Sequence, residues 1–150
     1  MRVILQRVTD ASVTVKDKIK GAINQGILVL VGIENEDSQE DIKWLSKKII
    51  NMRIFDDSDG TMNKSIIEVN GDLLVISQFT LHASIKKGNR PSYIKAAKPD
   101  IAVPLYENFL SQLKLDLNKP IQSGVFGADM KISLTNDGPV TILIDTKNKN

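Results

Sequence analysis

A short polar segment that could do chemistry follows directly on an apolar run at residues 73–76. It reads Ser77-Gln78-Phe79-Thr80. If the segment continues the strand, side-chain alternation puts Ser77 and Phe79 on one face and Gln78 and Thr80 on the other. Hydroxyl and amide groups would then face both sides of a strand end. Such an arrangement suits the binding of a polar substrate, and it is equally typical of a half-exposed strand.

A second polar segment runs from Asn136 to Thr141 and contains the dipeptide Gly138-Pro139. A cis bond before proline costs about 0.5–1 kcal/mol, much less than before any other residue. It would aim two neighbouring backbone carbonyls in nearly the same direction, as a rigid acceptor pair or a steric wall. The same dipeptide is also typical of an ordinary turn.

The composition excludes several kinds of active site. The chain of 150 residues has no cysteine and a single histidine, His82. It therefore has no thiol nucleophile, no cysteine-type zinc site and no metal site built from several histidines. A Ser-His-Asp triad would have to use His82, and the sequence identifies no acid to orient it. The glycine spacing matches neither a phosphate loop nor a dinucleotide fingerprint, so we expect no metal and no cofactor.

The distribution of charge is more informative than the net charge of +2. The interval between Asp72 and Asp100 contains no acidic residue but five basic ones, and three of these fall in a loop with glycine and proline. Lys86, Lys87 and Arg90 of this loop are candidate contacts to the phosphates of a nucleic acid. A solvated charged loop without a partner explains the same pattern.

Apolar spacing predicts the elements that position these residues. Strands are predicted at residues 3–8, 12–16, 26–33, 73–81, 130–134 and 140–145. Helices are predicted at residues 39–51 and 102–114, and the second should begin close to Pro104, because proline is tolerated in a first turn. Asn136-Asp137-Gly138 is a strong hairpin signal and should join the last two strands. Residues 146–150 are polar and are predicted to form a frayed tail.

These elements predict an α+β fold built as a single domain over residues 1–150. We expect antiparallel and mixed β-sheets to form a barrel-like core flanked by two or three helices. No stretch approaches the roughly 20 apolar residues of a membrane span, and the N-terminal apolar run is too short for a signal peptide. A cytoplasmic protein with no membrane partner is therefore expected.

Several of these segments together resemble the D-aminoacyl-tRNA deacylase family, also called D-tyrosyl-tRNA deacylases. The motifs that carry the resemblance are, in chain order, Leu5-Gln6-Arg7-Val8, Ala11-Ser12-Val13, Ser77-Gln78-Phe79-Thr80-Leu81, Gly88-Asn89-Arg90-Pro91-Ser92, Gly127-Ala128-Asp129-Met130 and Asn136-Asp137-Gly138-Pro139-Val140-Thr141. The resemblance covers the chain from Met1 to about Asp145. Ser123 and Tyr93 are conservative departures from the family pattern, and His82 belongs to none of the motifs.

The resemblance implies a homodimer whose two active sites lie at the subunit interface. It assigns a catalytic segment of Ser77, Gln78, Phe79 and Thr80 in one subunit, and a substrate-binding group of Arg7, Asn136, Gly138 and Pro139 reaching in from the other. The carbonyls of Gly138-Pro139 would hold the substrate amino group and leave no room for an L side chain, with Arg7 fixing their orientation. Selectivity would then come from exclusion.

The reaction implied by the resemblance is hydrolysis of the ester that joins a D-amino acid to the terminal ribose of tRNA, a proofreading step in translation. Backbone N–H groups near Phe79 and Thr80 would stabilise the oxyanion, and the substrate's ribose 2′-hydroxyl would handle the proton. Glycine has no side chain to exclude, so glycyl-tRNA is a candidate substrate as well. Two alternatives stay open: a non-catalytic tRNA-binding or RNA-binding module, and a general esterase with Thr80 as nucleophile.

Overall fold

In the computed structural model, which describes residues 1–149, the chain begins and ends with a long strand. β1 spans Arg2–Val15 and β8 spans Lys131–Asp145, and the two pair antiparallel along most of their length. Buried residues alternate with partly exposed ones along much of β1, as expected of a strand with one face on the core. These two strands form the frame on which the rest of the sheet is built.

The remaining elements complete a mixed sheet with helices beside it. They are β2 (Lys18–Ile23), β3 (Gly26–Gly32), α1 (Gln39–Asn51), β4 (Phe55–Asp56), β5 (Met62–Lys64), β6 (Asp72–Ser77), a one-turn 3-10 helix (Phe79–His82), α2 (Pro99–Leu117) and β7 (Gln122–Ser123). The main sheet has the order β2-β1-β3-β6-β7, with β8 paired to β1 outside this path. β6 lies parallel to both β3 and β7, and the other pairs are antiparallel. β2, at one end of this order, also contacts β6 and β7 at the other end, so the sheet curls into a nearly closed barrel. The predicted α+β fold with a barrel-like core is confirmed.

Two groups of buried apolar side chains fill the two faces of the sheet. The larger group lies against the helices and includes Leu45, Tyr106 and Phe109. The smaller lies inside the curled sheet and consists of Val8, Ala11, Val13, Ile23, Leu28, Leu74 and Ile76. Full burial of one such large apolar side chain contributes about 1.5–3 kcal/mol. β6, which leads to Ser77, packs on both faces, since Leu73 and Val75 belong to the larger group and Leu74 and Ile76 to the smaller.

The first helix is confirmed with the predicted bounds, and the second begins earlier than predicted. At the start of α1, the carboxylate of Asp41 accepts a hydrogen bond from the Ser38 N–H at 2.9 Å, as in a capping box. α2 begins at Pro99 rather than close to Pro104. Pro99 lies in the first turn, where the backbone N–H has no intrahelical acceptor, so proline is tolerated there. Pro104 has no N–H to donate to the carbonyl of Asp100, four residues before it, and Asp100 is exposed to water. None of the described helices is long and apolar enough to cross a membrane.

The hairpin predicted at Asn136-Asp137-Gly138 is wrong. β8 passes through these residues as one strand, because β1 offers it a continuous partner. Val8 pairs with Asn136 and Gln6 pairs with Thr141, so one residue of β1 faces four residues of β8. The turn signals therefore mark a bulge in the ladder at residues 137–140. Likewise, the two strands predicted at residues 3–8 and 12–16 are parts of the single strand β1.

Two further predictions need correction. The strand predicted at residues 73–81 ends at Ser77, and the chain then turns into the 3-10 helix. The predicted frayed tail is wrong for residues 146–149. The buried Thr146 donates its N–H to the Met1 carbonyl at 2.9 Å, and Lys147 Nζ lies 3.1 Å from Asp41 Oδ2. Asn148 donates its N–H to the Asp145 carbonyl at 3.1 Å, and Lys149 Nζ lies 4.7 Å from the centre of the Trp44 ring. Asn150 of that tail lies outside the described residues.

Candidate active site

A cavity of about 250 Å³ opens where the parallel strands β3 and β6 end. Carboxyl ends of parallel strands are a common place for ligand sites, because the loops that follow diverge there. The cavity is lined by Val31, Ile33, Ile76, Ser77, Gln78, Phe79, Ala97, Ala102, Phe126, Gly127, Ala128, Asp129, Met130 and Ile132. Most of the wall is apolar, and the polar groups are concentrated in the segment that follows β6.

Pairing between β3 and β6 fixes the position of this polar segment. Val31 faces Ser77 in the parallel register, and the next residue, Gln78, donates its N–H to the Val31 carbonyl at 2.7 Å. The 3-10 helix then packs closely on Gly32, where an added Cβ would lie 3.0 Å from the Gln78 carbonyl oxygen and from the Leu81 Cβ. Residue 32 is therefore glycine because the turn approaches the backbone of β3.

The structure brings three of the four predicted catalytic residues to the cavity wall. Ser77, Gln78 and Phe79 line it, whereas Thr80 does not. The Thr80 hydroxyl lies 2.6 Å from Gln78 Nε2 and accepts its hydrogen bond. Phe79 is 55% exposed, and its ring packs edge-on against Tyr93 at a centroid distance of 5.0 Å. The exposed aromatic pair Phe79 and Tyr93, the rim of the cavity, therefore lies beside the polar residues Ser77 and Gln78 of its wall.

His82, the one histidine, makes no hydrogen bond to Thr80. Its side chain is fully buried, and neither ring nitrogen has a hydrogen-bond partner among residues 1–149. The nearest acid is Glu34, with Oε2 at 3.7 Å from Nδ1. A Thr80 nucleophile would need a base within hydrogen-bond reach, and the group bonded to its hydroxyl is an amide. The geometry therefore does not support activation of Thr80 by His82.

The second predicted group gathers around the guanidinium of the buried residue Arg7. Nε donates to the Asp137 carbonyl at 3.0 Å and Nη1 to the Ile54 carbonyl at 2.8 Å. The bond between Gly138 and Pro139 is cis. Gly138 has a φ of +127°, and an added Cβ there would lie 2.9 Å from Arg7 Nη2. The guanidinium thus supports the bulge of β8 from the side of β1. The positive φ and the close contact with Arg7 together require glycine at residue 138.

Asn136 braces the same bulge from its other side. Its Oδ1 accepts a hydrogen bond from the Val140 N–H at 3.0 Å, and its Nδ2 donates to the Thr141 hydroxyl at 2.9 Å. Gly138 and Pro139 are exposed at the apex. Arg7, Asn136, Gly138 and Pro139 were predicted together, and the structure brings all four together.

The two predicted groups do not meet within one chain. None of the residues around Gly138 lines the cavity beside Ser77. Strands β1 and β3 lie between β8 and β6, so the two groups are separated by about 14 Å across the sheet. Each group is a separate half of the predicted site.

Sequence reasoning missed most of the opposite wall of the cavity. Ala128, Asp129 and Met130 belong to a motif noted above but were given no role, and Phe126 was not noted. Tyr106 supports this wall: its ring packs on Phe126 at 5.5 Å and its hydroxyl donates to the Val75 carbonyl at 3.1 Å. Burial raises the pKa of Tyr106 to about 12, and the nearby Glu107 adds to the effect. The hydroxyl is therefore a permanent donor to β6.

The predicted tRNA contacts lie on a loop that projects beside the cavity. Ser84 and Ser92 exchange two backbone hydrogen bonds, of 2.8 and 2.9 Å, and close the loop between them. Lys86, Lys87 and Arg90 are exposed, and none of them pairs with an acid in the part of the chain that the structure describes. The described residues contain no cluster of potential metal ligands.

Known proteins resemble this chain along nearly its whole length. A family model described as D-Tyr-tRNA(Tyr) deacylase matches residues 4–145. Proteins named D-aminoacyl-tRNA deacylase are 66% identical in Bacteroides fragilis, 63% in Parabacteroides distasonis and 62% in Flavobacterium psychrophilum, each over 149 residues and 99% of both chains.

Two solved structures share the fold. One, named c-Myc DNA Unwinding Element Binding Protein, has a TM-score of 0.92 and 41% identity, and covers 97% of this chain and 98% of that one. The other, described as a structural analysis of a probable eukaryotic D-amino acid tRNA deacylase, has a TM-score of 0.81 at 19% identity, over 95% and 97% of the two chains, and supports the fold alone. Because the family model matches residues 4–145 and these relatives are 62–66% identical over 99% of both chains, the chain belongs to the D-Tyr-tRNA(Tyr) deacylase family.

Proposed function

We propose that this protein hydrolyses the ester bond of D-aminoacyl-tRNA and releases the free D-amino acid and tRNA. The observation that carries the proposal is the cavity lined by Ser77, Gln78 and Phe79, in a chain that matches deacylases over 99% of its length. Water adds its oxygen to the acyl carbon, the bond to the ribose oxygen breaks, and that oxygen takes a proton. Release of D-amino acid from charged tRNA by the purified protein tests the proposal.

The active protein is a homodimer whose two sites are shared between subunits. Support comes from the separation of the two halves, since Gly138 and Pro139 are exposed and lie away from the cavity of their own chain. A second copy related by a two-fold axis can present its Gly138-Pro139 to this cavity while receiving the same contact in return.

A subunit-mixing experiment tests the shared site. Gln78→Ala damages the cavity half and Arg7→Ala damages the bulge half, so each homodimer should be inactive. A mixed dimer would have one site with both halves intact, and random pairing would restore about one quarter of the wild-type rate. Mixing each variant with itself is the control. Mixed dimers that form but stay inactive would argue against sites shared between subunits.

The pair Gly138-Pro139 excludes L-aminoacyl groups by its backbone. The bulge that carries it is braced by Arg7 on one side and by the Asn136 side chain on the other, so it is a rigid surface. A rigid wall of backbone rejects one hand of the substrate without needing a specific contact to each D side chain. Glycine has no side chain to reject, and glycyl-tRNA is accepted as well.

The substrate's own 2′-hydroxyl handles the proton in this reaction. The protein contributes position and the N–H groups of Phe79 and Thr80, which come first in the 3-10 turn and have no carbonyl of that turn to bond. Thr80 does not attack the ester; its hydroxyl is bonded to the amide of Gln78, which lines the cavity. The aminoacyl ester is already activated, so positioning is most of what the protein must supply.

The loop between Ser84 and Ser92 holds the tRNA backbone. Its exposed Lys86, Lys87 and Arg90 present three unpaired positive charges on the side of the cavity where Phe79 and Tyr93 form the rim. Phosphates neutralised here would orient the aminoacyl end toward the cavity. The protein acts in the cytoplasm, where aminoacyl-tRNA is made and used.

Two other functions make different predictions for the same assay. A non-catalytic RNA-binding module would bind charged tRNA and leave the ester intact. A general esterase with Thr80 as nucleophile would also attack L-aminoacyl-tRNA and simple esters. Among residues 1–149 the Thr80 hydroxyl is bonded to the Gln78 amide and not to a base, which favours the substrate-assisted deacylase over the esterase.

A further inference from the structure

The burial of His82 lowers the stability of the folded state, and packing alone does not explain why a histidine lies there. It closes the 3-10 turn that carries Phe79 and Thr80, its side chain is 0% exposed, and within the described part of the chain neither ring nitrogen has a hydrogen-bond partner. A buried polar atom without a partner destabilises the folded state, because it gives up its hydrogen bonds to water. An apolar side chain of similar size would avoid this loss. A residue that costs stability beside an active site is a candidate for a role in that site.

The surroundings of His82 place one acid next to it. Glu34 Oε2 lies 3.7 Å from Nδ1, and the ring is packed against Gly32 of β3, where an added Cβ would lie 3.0 Å from Cδ2. The other charged side chain at this turn is Arg2 of β1, whose Nη1 donates to the Leu81 carbonyl at 3.2 Å. Arg2 is itself paired with Asp145 of β8 at 2.8 Å. Glu34 is therefore the acid available to the imidazole.

Glu34 directly follows Ile33, a residue of the cavity wall. Its backbone forms an isolated bridge with Ala96, and the next residue, Ala97, donates its N–H to the Ile33 carbonyl at 2.9 Å. Ile33 and Ala97 both line the cavity. A contact between His82 and Glu34 thus connects the turn that carries Phe79 to the wall formed by Ile33 and Ala97.

We propose that His82 is a positioning residue of this site, and that its Nδ1–H faces the Glu34 carboxylate and holds the 3-10 turn against the Ile33–Ala97 wall. The inference rests on the proposed deacylase function. His82 touches neither substrate nor Thr80. It acts by fixing the backbone N–H groups of Phe79 and Thr80 at the distance from the cavity that the oxyanion requires.

The position of the imidazole proton tests the contact without any assay of activity. Because His82 is the one histidine, nitrogen NMR of protein labelled on histidine reports a single ring. At mildly alkaline pH, where free histidine is neutral, the proposal expects the proton on Nδ1. Glu34→Gln should shift the population toward the Nε2–H form, while Glu36→Gln, an exposed acid in the same turn, should not. A wild-type ring protonated mainly on Nε2 would overturn the proposal.

Kinetics separate positioning from packing. His82→Leu removes the donor and the unpartnered nitrogens, so it should unfold at the same or a higher temperature yet lower kcat about tenfold, with KM changed less than about twofold. His82→Asn keeps an N–H near the Nδ1 position and should recover part of the lost kcat. Glu34→Gln should lower kcat as His82→Leu does, and Glu36→Gln should leave it unchanged. A fully active His82→Leu variant would show that the residue only packs.

Failure of the proposed function gives a different result. If wild-type protein leaves D-aminoacyl-tRNA intact, the deacylase proposal fails whatever the NMR spectrum shows. If wild-type protein is active and the proton sits on Nε2, the deacylase stands and the positioning role falls.

Discussion

Arg7 Nε donates to the backbone carbonyl of Asp137 at 3.0 Å, and this bond joins the core of β1 to the bulge of β8. The same guanidinium donates through Nη1 to the Ile54 carbonyl at 2.8 Å. Its planar fork serves two acceptors in different directions, and an ammonium group is a single point of charge that does not reproduce that geometry. Arg7 therefore holds the residue directly before Gly138, and we propose that it sets the orientation of Gly138 and Pro139.

Arg7→Lys should lower kcat for D-aminoacyl-tRNA by about 10- to 100-fold, because the bulge would no longer be held in register with the cavity it serves. Loss of one buried bond to a charged group should also reduce the free energy of unfolding by about 1–3 kcal/mol. Single-turnover rates and urea denaturation measure the two effects. Arg53→Lys, at an exposed arginine that bonds Asn63, is the matched control and should change neither. Equal rates for Arg7→Lys and wild type would remove Arg7 from the site.

Thr80→Ala should keep the deacylation rate within about tenfold of wild type, since the Thr80 hydroxyl is bonded to an amide and has no base. A substrate whose terminal ribose lacks the 2′-hydroxyl should react far more slowly with either protein. Rates with the two substrates, measured for wild type and variant, give the comparison. An acyl group trapped on Thr80 and detected by mass spectrometry would contradict the substrate-assisted route.

Removal of the three loop charges, by Lys86→Gln, Lys87→Gln and Arg90→Gln together, should weaken tRNA binding and flatten its dependence on salt. Each lost phosphate contact should reduce the slope of log affinity against log salt by about 0.7–0.9. Titration of tRNA at several salt concentrations measures the slope.

A matched control for the loop removes the same charge elsewhere. Lys16, Lys18 and Lys20 are exposed around the turn between β1 and β2, and their replacement by glutamine should leave the slope unchanged. The same loss of affinity in both triple variants would point to overall charge rather than to the loop.

Asp41 should make stability depend on pH in the acid range. Burial alone would raise the pKa of its carboxyl, but hydrogen bonds from Thr146, Lys147 and Ser38 outweigh burial and hold the pKa well below its ordinary value of 3.8. Since the folded pKa is lower than the unfolded one, the stabilisation is fully present above pH 3.8 and is lost as the pH falls toward the folded value.

Asp41→Asn should therefore reduce the free energy of unfolding by about 1–3 kcal/mol at neutral pH, and the difference from wild type should shrink as the pH falls below the ordinary pKa of aspartate. Chemical denaturation across this pH range measures the difference. Glu40→Gln changes an exposed acid in the same first turn of α1 and should have a small effect that does not share this pH dependence. A constant Asp41→Asn difference at every pH would contradict the assignment.

Local patterns predicted the helix at Gln39–Asn51 and the strand that begins at Gly26, because the apolar spacing there reports the face that each element buries. They failed where a distant partner decides the outcome. Asn136-Asp137-Gly138 carries a hairpin signal, but β1 pairs with residues on both sides of it and holds them in one continuous strand. The turn residues form a bulge instead. A local sequence pattern does not distinguish a bulge of this kind from a hairpin.

The site followed the same division. Polarity and turn residues singled out the segments at residues 77–80 and 136–141, since each is continuous in sequence, whereas Arg7 was assigned only through the family resemblance. The wall opposite was missed, because Phe126 and Ala128 have no chemistry of their own and reach the cavity only through the fold. The change from strand to 3-10 turn after Ser77 depends on close packing against Gly32, a contact between segments that are distant in sequence.

The most direct test of the central claim compares the two hands of one substrate. Purified protein is given the same tRNA charged with a D-amino acid or with its L form, and loss of each ester is followed under conditions where spontaneous hydrolysis is slow. We expect rapid loss of the D-aminoacyl group and a rate for the L form close to the uncatalysed one. Equal rates for both hands, or an intact D-aminoacyl ester, would contradict it.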